Sequence, residues 1–316
     1  MKINNVCIIG GSGFVGGHIA HLLTAQGINL RVPTRHRERA KSLLVLPTAD
    51  VVEADVHDPT ELDQLLVGME AVINLVGISN GDFVSAHVEL PKKIVAACKR
   101  NSILRLLHVS ALNANINGAN NYLRSKGEGE RVVMESDLKT TVFRPSVIFG
   151  PGDSFLNLFV DLVRRRLPVL SLTFPNAKLQ PVSVENVAHV IVASLSAPTT
   201  FGQGYDLCGP KIYTLKQLVE YVAFITGHDL AVIGLNDSLS YLQVMIMKVF
   251  PGRLMARNNY FSMKVDSICN CDNANNLAAV FGIRSTELEE VAPLYLAHLT
   301  PRGRYNGFRD REGRQN

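Results

Sequence analysis

A tyrosine and a lysine four positions apart, Tyr122 and Lys126, are the residues of this chain best suited to acid–base chemistry. They begin a segment with helical periodicity, and residues i and i+4 of a helix lie on the same face. An ammonium group beside a phenol favours the phenolate, so we expect a lowered tyrosine pKa. Such a tyrosine can donate or accept a proton while a hydride moves to or from a carbonyl carbon. An ordinary helix surface is the alternative interpretation.

Three glycines near the N-terminus predict a turn that binds phosphate. Gly10, Gly13 and Gly16 form the pattern G-x-x-G-x-x-G between an apolar strand segment and a helical segment. In dinucleotide-binding folds, such glycines allow a tight turn, close approach of the pyrophosphate and close packing of helix on strand. The residues expected at this turn are Gly10, Ser12, Gly13, Phe14, Val15 and Gly16. A turn without a ligand is the alternative.

The end of the second predicted strand indicates which dinucleotide fits. Enzymes that use NAD usually have an acidic residue there, which bonds the ribose 2′-hydroxyl. This chain has Thr34 at that place and Arg35 after it, and a guanidinium suits a 2′-phosphate. NADP(H) is therefore favoured over NAD(H), with an exposed basic loop as the alternative. Further positions expected at the cofactor follow the third and fourth strands: Asp55, Val56, Leu75, Val76 and Gly77.

The elements that must position these residues follow from the alternation of short apolar runs with helical periodicity. Six strand segments are expected to begin near residues 6, 29, 51, 71, 104 and 140, with helices in most of the intervals between them. Gly27 is expected to end the first helix, and Asp58 with Pro59 to begin the second. Strands joined by crossover helices predict an α/β fold with a doubly wound parallel Rossmann sheet.

The regular alternation of strand and helix patterns ends near residue 150, after which helical segments dominate. We predict a dinucleotide-binding Rossmann domain over residues 1–150. A smaller, mostly helical substrate or partner domain is expected over 151–299, with segments that return to the sheet. Residues 300–316 are expected to form a basic, flexible tail.

The composition excludes several classes of protein. The 316 residues are 47% apolar, which supports a substantial core and excludes a disordered chain. The net charge is +4, and five arginines against two acidic residues place +3 of it after Thr300. A nucleic-acid-binding body, which needs a broad basic face, is therefore disfavoured. The apolar segment Leu239–Phe250 is too short to span a membrane and is interpreted as a buried face, with a membrane-surface or partner-docking face as the alternative.

Cysteine and histidine spacings point away from disulfides and metals. The five cysteines, at positions 7, 98, 208, 269 and 271, are odd in number and widely spaced. This predicts neither a disulfide framework nor a zinc site and fits a reducing cytoplasm. Cys269 and Cys271 are interpreted as incidental thiols near a loop. The nine histidines form no metal-ligand pattern, so no metal site is predicted.

Several sequence blocks resemble the extended or atypical short-chain dehydrogenases/reductases: GGSGFVG, EADVHD, YLRSKGEGE and FRPSVIFGPGD. Together with VINLVG and HVSALNA, they are similar to the dehydrogenase-like accessory subunit of respiratory complex I and its bacterial homologues. Matches at Lys178–Val182 and Tyr205–Pro210 extend the resemblance into the second half of the chain. The resemblance implies tightly bound NADPH in a subfamily without established turnover, whose relatives are associated with ubiquinone-synthesis complexes.

The resemblance also implies roles for individual residues. Tyr122 would be the acid/base and Lys126 its ribose-binding partner, while Pro145–Val147 would lie beside the nicotinamide. Family enzymes usually follow the fifth strand with two hydroxyl residues, and the second polarises the substrate carbonyl. This chain has Ser110 and then Ala111, so Ser110 can take that role only if the register slips by one residue. The departure weighs against turnover and leaves dinucleotide binding unaffected.

Two functions are therefore expected. The first is an NADP(H)-binding accessory, structural or sensing partner of a quinone-linked respiratory or ubiquinone-synthesis complex. The second is an active NAD(P)-dependent oxidoreductase or epimerase/dehydratase that uses Tyr122, Lys126 and Ser110 on a carbonyl or sugar-like substrate. Ala111 slightly favours the first. We expect a cytoplasmic location, with peripheral placement at the inner membrane as a variant, and no nucleic-acid partner.

Overall fold

The computed structural model describes residues 2–164, 169–234, 266–269 and 276–299. The segment Leu239–Phe250, the basic tail 300–316 and Cys271 lie outside the described residues. The chain forms two compact units. The first contains the described residues of Met1–Ser146, Val184–Cys208 and Cys269–Ser285, and the second those of Val147–Ser183, Gly209–Ile268 and Thr286–Asn316.

The described elements are numbered in chain order. The strands are β1 (Asn5–Ile9), β2 (Asn29–Thr34), β3 (Ala49–Glu53), β4 (Ala71–Asn74), β5 (Arg105–Val109), β6 (Lys139–Pro145), β7 (Ile148–Phe149), β8 (Val169–Leu172), β9 (Lys178–Leu179), β10 (Val182–Ser183), β11 (Gln203–Leu207), β12 (Tyr213–Thr214) and β13 (Ala231–Gly234). The helices are α1 (Phe14–Ala25), α2 (Pro59–Leu66), α3 (Leu90–Arg100), α4 (Asn121–Met134), α5 (Phe155–Val163), α6 (Val184–Ser196), α7 (Leu215–Ile225), α8 (Asn276–Phe281) and α9 (Leu288–Leu296). A π-helical turn, Ser85–Glu89, leads directly into α3.

A seven-stranded parallel sheet forms the centre of the first unit, which confirms the predicted Rossmann architecture. Its strand order is β11-β6-β5-β4-β1-β2-β3. The order reverses between β1 and β4, because β2 and β3 lie on one side of β1 while the later strands lie on the other. In such sheets ligands bind at the carboxyl ends of the strands beside this switch point.

Helices cover both faces of the sheet. Leu106 of β5 packs with apolar residues of α2, α3 and α4 on one face. Its neighbour Arg105 points to the other face, since successive strand residues alternate. There the buried Arg105 guanidinium donates to the carbonyl oxygens of Ser194 (2.7 Å) and Leu195 (3.1 Å) on α6. Helices therefore cover both faces of the sheet at β5.

Local sequence signals set the ends of two helices as predicted. Gly27 follows α1 with φ +74°, a left-handed conformation that glycine adopts without a steric penalty. The Asp58 carboxylate accepts hydrogen bonds from the N–H groups of Thr60 (2.7 Å) and Glu61 (3.1 Å) at the start of α2. These bonds lower the pKa of Asp58, so its role is that of a helix cap.

The second unit combines α5, α7 and α9 with three two-stranded pairings: β7 with β10, β9 with β12, and β8 with β13. Its helices share one apolar core that includes Leu156, Leu218 and Leu288. The buried Asp153 carboxylate accepts from the Leu156 N–H (2.7 Å) and from the Tyr295 hydroxyl (2.5 Å), which joins the start of α5 to α9. Among the described helices, none has both the length and the apolar composition of a membrane span.

The prediction that the cysteines form no disulfide is wrong. Cys208, directly after β11, is bonded to Cys269, with the two Cα atoms 6.2 Å apart. The pair was hidden because bonded and unbonded cysteines occur in the same chain: Cys7 and Cys98 are free thiols buried elsewhere in the first unit. Burial raises the pKa of both free thiols to about 12, which favours the protonated thiol over the nucleophilic thiolate. The disulfide is buried and packs against Leu112.

Candidate functional site

The glycine turn between β1 and α1 is compact because two of its glycines have no room for a side chain. Gly10 has φ +82°, and the N–H of Gly13 donates to its carbonyl (3.1 Å). A Cβ on Gly16 would lie 2.4 Å from the carbonyl oxygen of Gly11. Any larger residue at Gly16 would force α1 away from the turn and displace the N–H groups at the helix start.

A cleft of about 460 Å³ opens beside this turn, at the carboxyl ends of β1, β2, β3 and β4. It lies wholly within the first unit. Its lining comes from the glycine turn, the ends of β2 and β3 and the segment after β4: Gly10, Ser12, Pro33, Thr34, Arg35, His36, Ala54, Val56, His57, Val76, Ile78, Asn80, Gly81, Asp82, Ser85, Ala86 and Leu90. A second groove of about 640 Å³ lies along the edge strand β3 and contains none of the predicted site residues.

The end of β2 presents a cation rather than an acid to the cleft. The Thr34 hydroxyl is used locally, since it accepts from the His36 N–H and donates to the His36 carbonyl (both 3.3 Å). Arg35 and His36 are exposed and line the cleft. The hydroxyl of Thr34 therefore shapes the loop, and Arg35 brings a positive charge to this end of the cleft.

Six predicted cofactor residues line the cleft: Gly10, Ser12, Thr34, Arg35, Val56 and Val76. Asp55 is not among them, and its carboxylate accepts from the His57 N–H (2.9 Å). Other predicted residues belong to the first unit without lining this cleft: Gly13, Phe14, Val15, Gly16, Leu75, Gly77, Tyr122, Lys126 and Pro145. Val147 belongs to the second unit, where it packs against the apolar core.

Sequence reasoning missed much of the segment after β4. Ile78, Asn80, Gly81, Asp82 and Ser85 all line the cleft. The signal that could have found them is topological, because the carboxyl end of the fourth strand forms one wall of the switch point. The prediction stopped at Gly77 for want of a recognisable motif beyond it.

Lys126 reaches from α4 to the ends of two central strands. Its ammonium donates to the carbonyl oxygens of Val76 (3.1 Å) and Val109 (3.2 Å). Burial lowers the pKa of Lys126 to about 8. A Cβ on Gly77 would lie 3.2 Å from the Lys126 Nζ, so the glycine gives the ammonium its room. The lysine thus holds β4, β5 and α4 together beside the cleft.

The predicted lowering of the Tyr122 pKa is wrong. Burial raises this pKa, and the Lys126 ammonium is directed at two backbone carbonyls instead. The Tyr122 ring packs edge-on against Phe83 (6.0 Å between centroids) and His87 (5.5 Å). The phenol is therefore protonated at neutral pH, a state that can donate a proton but accepts one poorly.

After β5, the structure keeps Ser110 and Ala111 in adjacent, buried positions. The Ser110 N–H donates to the Phe143 carbonyl (2.8 Å). Its Oγ is buried and has no hydrogen-bond partner among the described residues. A buried hydroxyl without a partner is costly, so Ser110 carries an unsatisfied polar atom directly after β5. Ala111 has no polar atom to offer at the position where the family's polarising hydroxyl is expected.

A protein-family model described as NAD(P)H-binding matches residues 10–198. The chain belongs to this family. This confirms the expected dinucleotide-binding function at the level of NAD(P)H and does not distinguish NADP from NAD.

Related chains agree with the resemblance seen in the sequence. Subunit 9 of the NADH dehydrogenase [ubiquinone] 1 alpha subcomplex from Mus musculus mitochondria is 32% identical over 228 residues. The match covers 69% of this chain and 60% of the mouse protein, so this chain spans well under two thirds of that relative. The ceramide reductase of Caulobacter vibrioides is 30% identical over 236 residues, which cover 73% of this chain and 74% of the reductase.

Solved structures share the fold at low identity. A nucleoside-diphosphate-sugar epimerase from Staphylococcus aureus has a TM-score of 0.72 at 15% identity and covers 90% of this chain and 98% of its own. A Bordetella bronchiseptica enzyme solved with NAD+ has a TM-score of 0.64 at 18% identity, over 74% of this chain and 82% of its own. At these identities the likeness concerns architecture alone.

Proposed function

We propose that this protein binds NADP(H) and acts as an accessory or sensing partner of a quinone-linked respiratory complex, with a ubiquinone-synthesis complex as the alternative partner. The observation that carries the cofactor choice is Arg35, which lines the cleft at the end of β2, where NAD enzymes place an acid. The partner assignment is supported by similarity to the mitochondrial subunit. Peripheral placement at a membrane belongs to the same proposal.

The charge at the cleft suits a 2′-phosphate. A guanidinium offers two parallel N–H donors to phosphate oxygens, and such charge-assisted bonds are about twice as strong as neutral ones. His36 and His57 also line the cleft and can donate N–H hydrogen bonds. Because Arg35 is exposed, salt screens part of this attraction. The preference for NADPH is therefore expected to be largest at low ionic strength.

The geometry around Tyr122 supports binding more than turnover. Its pKa is raised by burial, and the Lys126 ammonium that would lower it is bonded to two carbonyls. Ala111 has no hydroxyl with which to polarise a substrate carbonyl. A protein with these features can hold a dinucleotide in place while it lacks the proton transfer that must accompany hydride transfer to a carbonyl.

An NAD(P)-dependent reductase is the second candidate function. The Tyr122–Lys126 pair supports it, as does the 30% identity to a ceramide reductase. The two candidates differ in whether Tyr122 exchanges a proton with a substrate. Hydride exchange with candidate carbonyls or quinones that is abolished in Tyr122→Phe would establish the reductase and exclude a purely accessory role.

Arg35→Asp tests the choice of cofactor. We expect NADPH affinity to fall about 10- to 100-fold, because one charge-assisted contact of about 1.5–3 kcal/mol is lost. NADH affinity should hold or rise, since a carboxylate can bond the ribose 2′-hydroxyl. Isothermal titration calorimetry with each nucleotide measures the two affinities. Arg37→Asp is the matched control, because Arg37 is an exposed arginine outside the cleft lining. Equal loss of both nucleotides in Arg35→Asp would defeat the NADP assignment.

The partner assignment has its own test. Membranes from cells that carry the tagged chain are solubilised gently and separated on native gels. Co-migration with NADH:quinone reductase activity supports the respiratory partner. Migration with ubiquinone-synthesis enzymes supports the alternative, and migration at the mass of the free chain alone would refute both.

A further inference from the structure

His87 lies deep in the first unit, on the π-helical turn Ser85–Glu89 that precedes α3. Only 1% of its surface is exposed. Its backbone packs directly against α4, because a Cβ on Gly129 would lie 1.8 Å from the His87 carbonyl oxygen. Single π-turns inserted into helices occur frequently at functional sites, so the side chain that this turn places is of interest.

Hydrogen bonds on both ring nitrogens determine the state of His87. The Ile78 N–H donates to Nε2 (3.0 Å), so this nitrogen carries no proton. The proton is therefore on Nδ1, which donates to the Ser125 Oγ (2.9 Å), and that hydroxyl donates to the Tyr122 carbonyl (2.9 Å). Burial and the nearby Lys126 charge lower the pKa of His87 to about 3. The ring is thus a neutral link between two segments rather than an acid or a base.

Ring packing adds to these bonds. His87 stacks on Phe83, with centroids 5.6 Å apart and planes 18° from parallel. Tyr122 meets both rings edge-on. Such contacts favour defined orientations, so the position of the Tyr122 ring depends on that of His87.

The segment after β4 is held from two directions. Lys126 donates to the Val76 carbonyl, and His87 accepts from the Ile78 N–H two residues later. Both Val76 and Ile78 line the cleft. These hydrogen bonds fix the Val76 carbonyl and the Ile78 N–H before any ligand binds. A ligand that binds such an ordered segment avoids the entropy cost of ordering it.

We propose that His87 is a positioning residue that holds the Ile78 segment and the Tyr122 ring in one arrangement, so that a dinucleotide in the cleft meets a preformed wall. This rests on the proposed dinucleotide binding. His87 does not line the cleft, so it acts through Ile78, which does.

Two amide variants separate the hydrogen bond to Ile78 from the volume of the side chain. In His87→Gln, the amide oxygen reaches the place of Nε2 and can accept from the Ile78 N–H. In His87→Asn, the shorter amide reaches only the place of Nδ1. We expect NADPH to bind His87→Gln within about threefold of wild type and His87→Asn about tenfold more weakly, the effect of one hydrogen bond near 1.4 kcal/mol. Equal binding by wild type and both variants would overturn the proposal, as would equal loss in both.

A spectroscopic measurement on the wild type tests the arrangement even if a variant fails to fold. In ¹⁵N spectra of the wild type, the His87 ring signals, assigned by correlation to the His87 backbone, should show a protonated Nδ1 and an unprotonated Nε2. The opposite tautomer, or a titration between pH 5 and 8, would overturn the proposal.

The nucleotide titration also separates the two levels of inference. Wild type that binds neither NADPH nor NADH would refute the proposed function and the role of His87 with it. Wild type that binds NADPH tightly, beside a His87→Asn variant that binds it equally well, would refute the role of His87 alone.

Discussion

Loss of the Cys208–Cys269 disulfide is expected to lower the free energy of unfolding by about 4 kcal/mol. The two cysteines are 61 positions apart, and a cross-link that closes a loop of this size removes conformational entropy from the unfolded chain worth roughly 4 kcal/mol at 25 °C. Cys208 and Cys269 flank Gly209–Ile268, which is one of three passages of the chain through the second unit. The bond therefore ties the two ends of that passage together.

Urea unfolding followed by circular dichroism measures this effect. Cys208→Ser should unfold at a lower urea concentration than wild type, and reduction of the wild type by dithiothreitol should reproduce the shift. Cys271→Ser is the matched control, because it leaves both bonded cysteines in place. With five cysteines in the chain and two in the bond, the oxidised, denatured protein should show three reactive thiols. Five reactive thiols, or a loss of stability below about 1 kcal/mol, would refute the reasoning.

Two further predictions concern residues around the candidate site. Burial holds the pKa of both His87 and His108 at about 3, so each stays neutral in the folded state while the unfolded chain takes up protons below about 6.5. The contribution of each neutral histidine to the free energy of unfolding is fully present above that pH and is lost as the pH falls towards 3. Between pH 7 and 5 the loss is up to about 2 kcal/mol for each histidine. Equal urea midpoints at pH 7 and 5 would contradict this. Gly129→Ala should cost more than about 2 kcal/mol, because the new Cβ meets a backbone oxygen at 1.8 Å. Gly17→Ala is the control, because there is open space around the new Cβ, and it should stabilise α1 by up to about 1 kcal/mol. Equal melting temperatures for Gly129→Ala and Gly17→Ala would exclude the clash.

Local signals in the sequence were sufficient for the framework of the first unit. The apolar run at β1 predicted a strand within one residue of its observed start, because burial on both faces of a parallel sheet demands continuous apolar residues. Asp58 predicted the start of α2 because a cap acts on N–H groups two and three residues away. Gly10 and Gly16 predicted the tight turn because backbone sterics act within a few residues.

The contacts at the candidate site depended on tertiary structure instead. Lys126 meets the Val76 carbonyl 50 positions away, His87 meets Ser125 across 38, and the disulfide joins residues 61 apart. Nothing in the spacing of Tyr122 and Lys126 shows that the ammonium faces two carbonyls rather than the phenol. The sequence by itself determined the strand and helix framework of the first unit and the glycine turn between β1 and α1, because those signals are local. Only the folded chain decided which side chains are buried together, and with them the pKa values of Tyr122 and Lys126, because burial and distant partners depend on the path of the whole backbone.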